Sequence, residues 1–443
     1  MSGRNIDVAD VIDRAPLSGF QVRVFILCAL VVLLDGFDAQ AIAFVAAPIA
    51  RDLAIPISSF GAIFAAGTIG LSLGAFALPP FADRYGRRYQ IILATVIFGV
   101  FSFATAWANS FAVLAALRFL TGIGVGAAVP NVVPLISEYS PRRTRAMLVT
   151  IVTVAWPLGA VLGGALSAKL IAAFGWQSVF SVGGLLPILL AALLLPTLPE
   201  SIRFLAVRSS ATRRIGEILH RLVPDLKYSS EDRFVVSEEA FHGFSVRRLF
   251  GDGRAAPTAL LWIAFFMNFL LLFFVFNWLP ALMQQAGFSN QRAIVGTVAF
   301  NLGGIIGGIA LGRLMDKYGN YRTVGLAYAF GAVFVGAIGF LGFSFPLLML
   351  AILLGGFCSV GTQVCGNALA AGLYPTAMRS TGVGWAYGVG RIGSIFGPIL
   401  GGILIALHWG MTGLFLISAL PLIAASAAIL VLGKIDRNLK KTS

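Results

Sequence analysis

Twelve windows of predominantly apolar residues recur along the 443-residue chain, at about 22–48, 58–80, 89–107, 111–137, 147–171, 177–197, 257–283, 291–314, 322–343, 346–370, 381–406 and 410–432. A helix needs about 20 such residues to cross a hydrocarbon core roughly 30 Å thick, and inside lipid its backbone hydrogen bonds must close within the segment. The chain is therefore expected to be an all-α membrane protein with twelve transmembrane helices. Only 11% of its residues are charged, against roughly 25% in an average soluble chain. A soluble domain of any size has no place in it.

The net charge of +14 suggests nucleic acid until the cations are placed. With the N-terminus inside, 27 of the 32 Lys and Arg fall on cytoplasmic segments, Arg51, Lys169 and Arg292 on the far side, and Arg118 and Arg391 inside spans. That bias sets both termini in the cytoplasm and makes a lipid bilayer, not nucleic acid, the partner. Asp7, Asp10, Asp13 and Arg14 interrupt the first 21 residues, which excludes a cleavable signal peptide there. Cys28, Cys358 and Cys365 all lie in spans and read as small packing residues.

An internal repeat relates the two halves at an offset of 233 to 234. Asp83-Arg84-Tyr85-Gly86 recurs as Asp316-Lys317-Tyr318-Gly319, Gly70 and Gly74 as Gly303 and Gly307, Pro141 and Arg145 as Pro375 and Arg379, and Gly159 and Gly163 as Gly393 and Gly397. Two six-helix, pseudo-symmetric halves in the same orientation place a substrate site between them. The expected organisation is a cytoplasmic segment 1–21, a first half 22–202, a cytoplasmic linker 203–256, a second half 257–432 and a tail 433–443. In the linker Ile215, Ile218, Leu219 and Leu222 follow helical spacing, so part of this otherwise flexible tether is expected to lie as an amphipathic helix on the inner face or against the bundle.

Asp35 and Asp38 are the only carboxylates well inside the membrane. Each costs at least about 2.5–3.5 kcal/mol at mid-bilayer depth, so they imply a polar cavity. Three residues apart, they point roughly the same way and titrate as a coupled pair, which makes them candidates for proton coupling. Pairing with an intramembrane Arg is the competing role. Arg118 and Arg391 each offer a fork of donors matched to a carboxylate, for an anionic substrate or for Asp35 and Asp38. Asn268, Asn301, Gln363 and Asn367 are candidate polar contacts, and Asn268 occupies the repeat position of Asp35. Phe37, Trp156, Trp385 and Tyr387 are candidates for stacking an aromatic ring. Asp83, Arg84, Arg87, Arg88, Glu138, Arg145 and Glu200, with Asp316, Lys317 and Arg379 in the second half, supply charges for an inner-face gate.

The segment Ala82-Asp83-Arg84-Tyr85-Gly86-Arg87-Arg88, with its echo after the eighth window, resembles the loop signature of the major facilitator superfamily across essentially the whole chain. Pro79 stands where that pattern has Gly, whereas the second half keeps Gly312. The segments 12–21 and 198–205, Asp35-Gly36-Phe37-Asp38 and Gly390-Arg391-Ile392-Gly393 further resemble the aromatic acid:proton symporter family. The resemblance implies the major facilitator fold and makes Arg391 the first choice for substrate binding. It ties Arg118 to proton coupling or helix packing and makes the loop charges a latch of the outward-open state. The expected function is proton-coupled uptake of a small aromatic carboxylate such as a hydroxybenzoate, by a monomer in a bacterial cytoplasmic (inner) membrane. The alternatives are a different organic acid, a drug:proton antiporter, or a membrane sensor of aromatic acids. No nucleophile–base pair, metal cluster or nucleotide loop is legible, so no enzyme activity, cofactor or metal is expected.

Overall fold

Each apolar window becomes a helix, because an isolated backbone in lipid has no other partner for its amides. The computed structural model describes residues 5–207, 212–223, 233–235, 246–251, 253–375 and 378–442. Among them twelve helices are long and apolar enough to span a bilayer: Gly19–Asp52, Ile57–Ala82, Arg87–Thr105, Phe111–Tyr139, Arg142–Phe174, Gln177–Thr197, Ala255–Gln285, Asn290–Tyr318, Asn320–Ile338, Phe345–Leu373, Thr381–Ala406 and Met411–Arg437, here spans 1 to 12. Span 9 stops at Ile338, short of its apolar window. Within span 2 the helix Phe60–Ala77 is interrupted at Leu78 and followed by a short helix Pro79–Tyr85, because the two prolines that begin it bring no amide hydrogen.

The halves repeat each other in packing as well as in sequence. Spans 2 and 4, 1 and 5, 3 and 6, and 3 and 4 pack together in the first half, matched by 8 and 10, 7 and 11, 9 and 12, and 9 and 10 in the second. Glycines set how closely they approach. A Cβ on Gly70 or Gly74 would land on the Phe119 or Ile123 carbonyl, and one on Gly303 or Gly307 on the carbonyls of Leu353 and Phe357. Gly159 meets the Leu33 carbonyl as Gly393 meets that of Phe266. The repeat in sequence is thus a repeat of backbone contacts that only glycine allows.

The halves meet along spans 1 and 7, 2 and 11, and 5 and 8. At the end opposite the termini, Gly61 lies against Pro398 and Gly402, Gly164 faces Ile294 and Val298, and the rings of Phe64 and Trp278 meet edge-on at 5.2 Å.

The described parts of the stretch between the halves are docked rather than loose. Helix Thr212–Leu222 buries Ile215, Leu219 and Leu222 beside Val8 and Ile12 in the core of the first half. The strand Arg233–Val235 pairs in parallel with Asn5–Asp7, and Leu249 joins the core of the second half, its carbonyl accepting from Thr258 Oγ1 at 2.9 Å. Residues 1–4, 208–211, 224–232, 236–245 and 252 of these segments lie outside the described residues.

Candidate functional site

Span 1 is broken by no loop, yet it carries the two acids into the interior, because Gly36 lets its backbone rest on the Trp156 carbonyl of span 5. Both carboxylates are fully buried and take different partners. Asp38 accepts from Ser102 Oγ on span 3 and forms an ion pair with Arg118 NH1 on span 4 at 3.4 Å. The other nitrogen of that guanidinium, NH2, donates to Thr105 and Thr121 Oγ1, both at 3.1 Å, and its centre lies 4.9 Å above the Phe180 ring. Asp35 instead accepts from Trp156 Nε1 at 3.3 Å and interacts electrostatically with Arg391 on span 11. The acids, expected to share one face, thus take different partners while remaining within each other's electrostatic reach.

Arg391 is placed differently from Arg118. Among the described residues its side chain makes no hydrogen bond and no ion pair within 4 Å; its guanidinium lies 5.9 Å from the Phe269 ring. Phe269 stacks on Phe273 at 6.2 Å, and Phe273 meets Phe276 edge-on. This aromatic ladder on span 7 runs to a cavity of about 580 Å³, its opening included, lined by Asp38, Gln40, Thr68, Arg118, Trp156 and Asn277 among others.

The remaining expected contacts sort clearly. Asn268 donates to Gln363 Oε1 at 2.8 Å, and Tyr387 packs edge-on against the rings of Phe265 and Phe269. Asn367, one turn beyond Gln363 on span 10, is exposed. Phe37 does not reach the cavity: its ring fills the space over Gly163 and Gly183, because it stands about 200° around the helix from Asp35. Trp385 is likewise misplaced by the sequence reading; it is 44% exposed and stacks on Trp262, being about 240° from Arg391.

Asn301 also departs from a ligand-contact role. It faces Gln40 across the halves in a reciprocal amide pair, Gln40 Nε2 to Asn301 Oδ1 at 3.3 Å and Asn301 Nδ2 to Gln40 Oε1 at 3.2 Å, both buried. Leaving one buried amide without its partner costs about 1–3 kcal/mol. Asn301→Leu is therefore expected to raise the population open at the end away from the termini, seen as longer distances between spin labels at Lys169 and Arg292. An unchanged distance distribution would remove the clasp.

The inner-face charges assemble within one half. Arg87 pairs with Glu138, Arg88 N–H donates to Glu200 Oε1 at 3.1 Å, Tyr139 OH donates to the Glu200 carbonyl at 2.7 Å, and Arg145 donates to the Ser140 carbonyl at 3.3 Å. Arg84 lies 5.5 Å from the centre of the Tyr85 ring, while the Asp83 side chain lies outside the described residues. Asp316, Lys317 and Arg379 are exposed and, among the described residues, form no ion pair. Sequence reasoning missed Ser102, Thr105, Thr121, Gln40 and Asn277.

Asp38→Asn is expected to lower thermal stability by about 3–5 kcal/mol, because Arg118 becomes a buried charge without a counter-charge. Thermal unfolding of the purified protein checks this, and Asp38→Asn with Arg118→Gln should recover most of the loss.

The Major Facilitator Superfamily profile matches residues 28–344 and 261–443. The gallate transporter of Pseudomonas putida is 40% identical over 429 residues, 97% of this chain and 95% of that protein. The 4-hydroxybenzoate transporter of Pseudomonas aeruginosa is 38% identical over 432 residues, 97% and 96% of the two chains. A solved D-xylose–proton symporter shares the fold with a TM-score of 0.73 at 19% identity, covering 93% of this chain and 97% of that one. Matched along both of its repeats and by relatives over nearly its full length, the chain belongs to the Major Facilitator Superfamily.

Proposed function

We propose that this protein imports an aromatic carboxylate of the hydroxybenzoate type together with a proton, by alternating access, as a monomer in a bacterial cytoplasmic membrane. Two relatives at 40% and 38% identity, named as gallate and 4-hydroxybenzoate transporters, support the substrate class. The orientation rests on the cation bias, 27 of 32 Lys and Arg on one side, which is the cytoplasmic side. The joined ends of spans 2 and 11 then face outward.

The observation that carries the reading is the unequal treatment of the two arginines: Arg118 is held by Asp38, whereas Arg391 stands at the head of an aromatic ladder with only the distant charge of Asp35. The four groups sum to zero charge. An incoming carboxylate adds one negative charge, and an uncompensated buried charge costs several kcal/mol. A proton on Asp35 cancels it and frees Arg391 for the carboxylate, so one proton accompanies each monoanion. Loaded with both or empty of both, the cleft is neutral and the halves can rock; loaded with one, they cannot. Reversing a 1:99 population takes about 5.5 kcal/mol of differential binding, the scale of one such uncompensated charge. The inner-face charges, Glu138 with Arg87, Glu200 with Arg88, and Asp83, Arg84, Arg145, Asp316, Lys317 and Arg379, act as the latch of the outward-facing state.

Counterflow in proteoliposomes tests the substrate class. Labelled 4-hydroxybenzoate is expected to exchange against hydroxybenzoates and gallate, and not against muconate, shikimate or cationic dyes. Exchange against dyes, with none against benzoates, would replace this reading by drug antiport.

A further inference from the structure

Asn277 lies on span 7 two turns beyond Phe269, within an apolar run that gives an amide no obvious reason to be there. Its pseudo-symmetry position in the first half is Phe44, so close packing at this depth is satisfied by an apolar side chain. In the structure Asn277 is only 7% exposed and borders the cavity together with Phe273, Phe276, Phe64 and Trp156. Its nitrogen is committed: Nδ2 donates to the Phe273 carbonyl one turn back at 2.7 Å. That bond fixes which way round the amide stands, because a flipped amide would set its oxygen against the Phe273 carbonyl. Among the described residues no donor reaches Oδ1. The cavity wall therefore holds an accessible acceptor that can take a donor and cannot give one.

The geometry points to Asn277 as the residue that reads a ring hydroxyl: the ligand lies along Phe269, Phe273 and Phe276 with its carboxylate toward Arg391 and a hydroxyl, on the opposite side of the ring, donating to Asn277 Oδ1. This rests on the substrate class proposed above and goes further, because it selects hydroxylated over unsubstituted aromatic carboxylates and sets the orientation of the ring. The aromatic ladder supplies the stacking surface, which does not distinguish one benzoate from another. A ligand without a donor leaves Oδ1 buried and unpaired, and sites built to bond a hydroxyl discriminate against analogues lacking it. Repulsion between Oδ1 and a carboxylate also disfavours the reversed pose.

The test uses the purified full chain and four probes, benzoate, 4-methylbenzoate, 4-hydroxybenzoate and 4-aminobenzoate, with binding followed by calorimetry and by the fluorescence of the cavity tryptophan. The methyl group matches the hydroxyl and amino groups closely in size and lacks the donor. In the unmodified protein the hydroxy and amino acids are expected to bind about tenfold tighter than the methyl acid, the scale of one buried hydrogen bond. In Asn277→Leu that preference is expected to fall to about one. Equal binding of 4-methylbenzoate and 4-hydroxybenzoate to the unmodified protein overturns the proposal without recourse to any variant, as does a donor preference that survives in Asn277→Leu. Binding without donor preference refutes the hydroxyl reading alone, whereas failure of all four probes to bind refutes the aromatic-carboxylate reading and this one with it.

Discussion

Exchange of Asp35 for Asn is expected to abolish accumulation driven by a pH gradient while substrate counterflow persists. The carboxylate sits about one helical turn before Asp38 but takes different partners, receiving Trp156 Nε1 and the field of Arg391 rather than the Arg118 guanidinium. With the amide in its place the empty cleft carries one net positive charge and the carboxylate-loaded cleft none, so the anion crosses without a proton. Binding by the unmodified protein is expected to weaken by about tenfold per pH unit above the titration of the site, since one proton must enter with each anion. In Asp35→Asn that slope is expected to vanish. Binding measured at three pH values, alongside gradient-driven uptake, separates this outcome from misfolding, which would remove counterflow as well.

Loss of the Arg391 guanidinium should be as severe, and it should strike binding rather than coupling. Arg391→Gln is expected to lower affinity for 4-hydroxybenzoate by about 100-fold, within the 2–5 kcal/mol that follows truncation of a buried, hydrogen-bonded charge partner. Arg391→Lys keeps the charge but loses the planar fork, and an intermediate loss of about tenfold is expected. Counterflow concentration curves and direct binding both read this. Equal affinity in Arg391→Gln and the unmodified protein would move the carboxylate to another cation and undo the division of labour between the two arginines.

Much of the architecture was legible because lipid leaves a chain few choices. Apolar windows of span length must be helices, and the offset of 233 to 234 identified glycine pairs, such as Gly70 with Gly303, that prove to be matched contacts between helix backbones. Asp35, Asp38, Arg118 and Arg391 stood out because charge inside a membrane is costly. Which acid faces which arginine was not legible, since a separation of three residues fixes relative direction only to within a wide angle, and the rotamers decide the rest. Phe37 and Trp385 show the reverse case: counting about 100° per residue from the charged positions would have turned both away from the cleft. Ser102, Thr105 and Thr121 left no signal, because hydroxyls in helices ordinarily bond a carbonyl one turn back, as Thr105 and Thr121 also do here. Asn277 was hidden inside a window dominated by its apolar neighbours.

The repeat also hides a real asymmetry. Asp35 answers to Asn268, Asn301 to Thr68 and Asn277 to Phe44, so charge is stored in the first half while amides and the unpaired guanidinium line the second. Gln40 and Asn301 hold the two halves together directly beyond the acids. In the proposed mechanism the proton site and the clasp thus lie on one short stretch of span 1, from Asp35 to Gln40, while the anion is held by Arg391 on span 11.

The most direct measurement is the number of protons delivered per substrate. Proteoliposomes loaded with a pH-sensitive dye and exposed to labelled 4-hydroxybenzoate, corrected against protein-free liposomes, are expected to acidify inside by one proton for each carboxylate accumulated. Accumulation of the carboxylate with no acidification above the protein-free control would contradict the account.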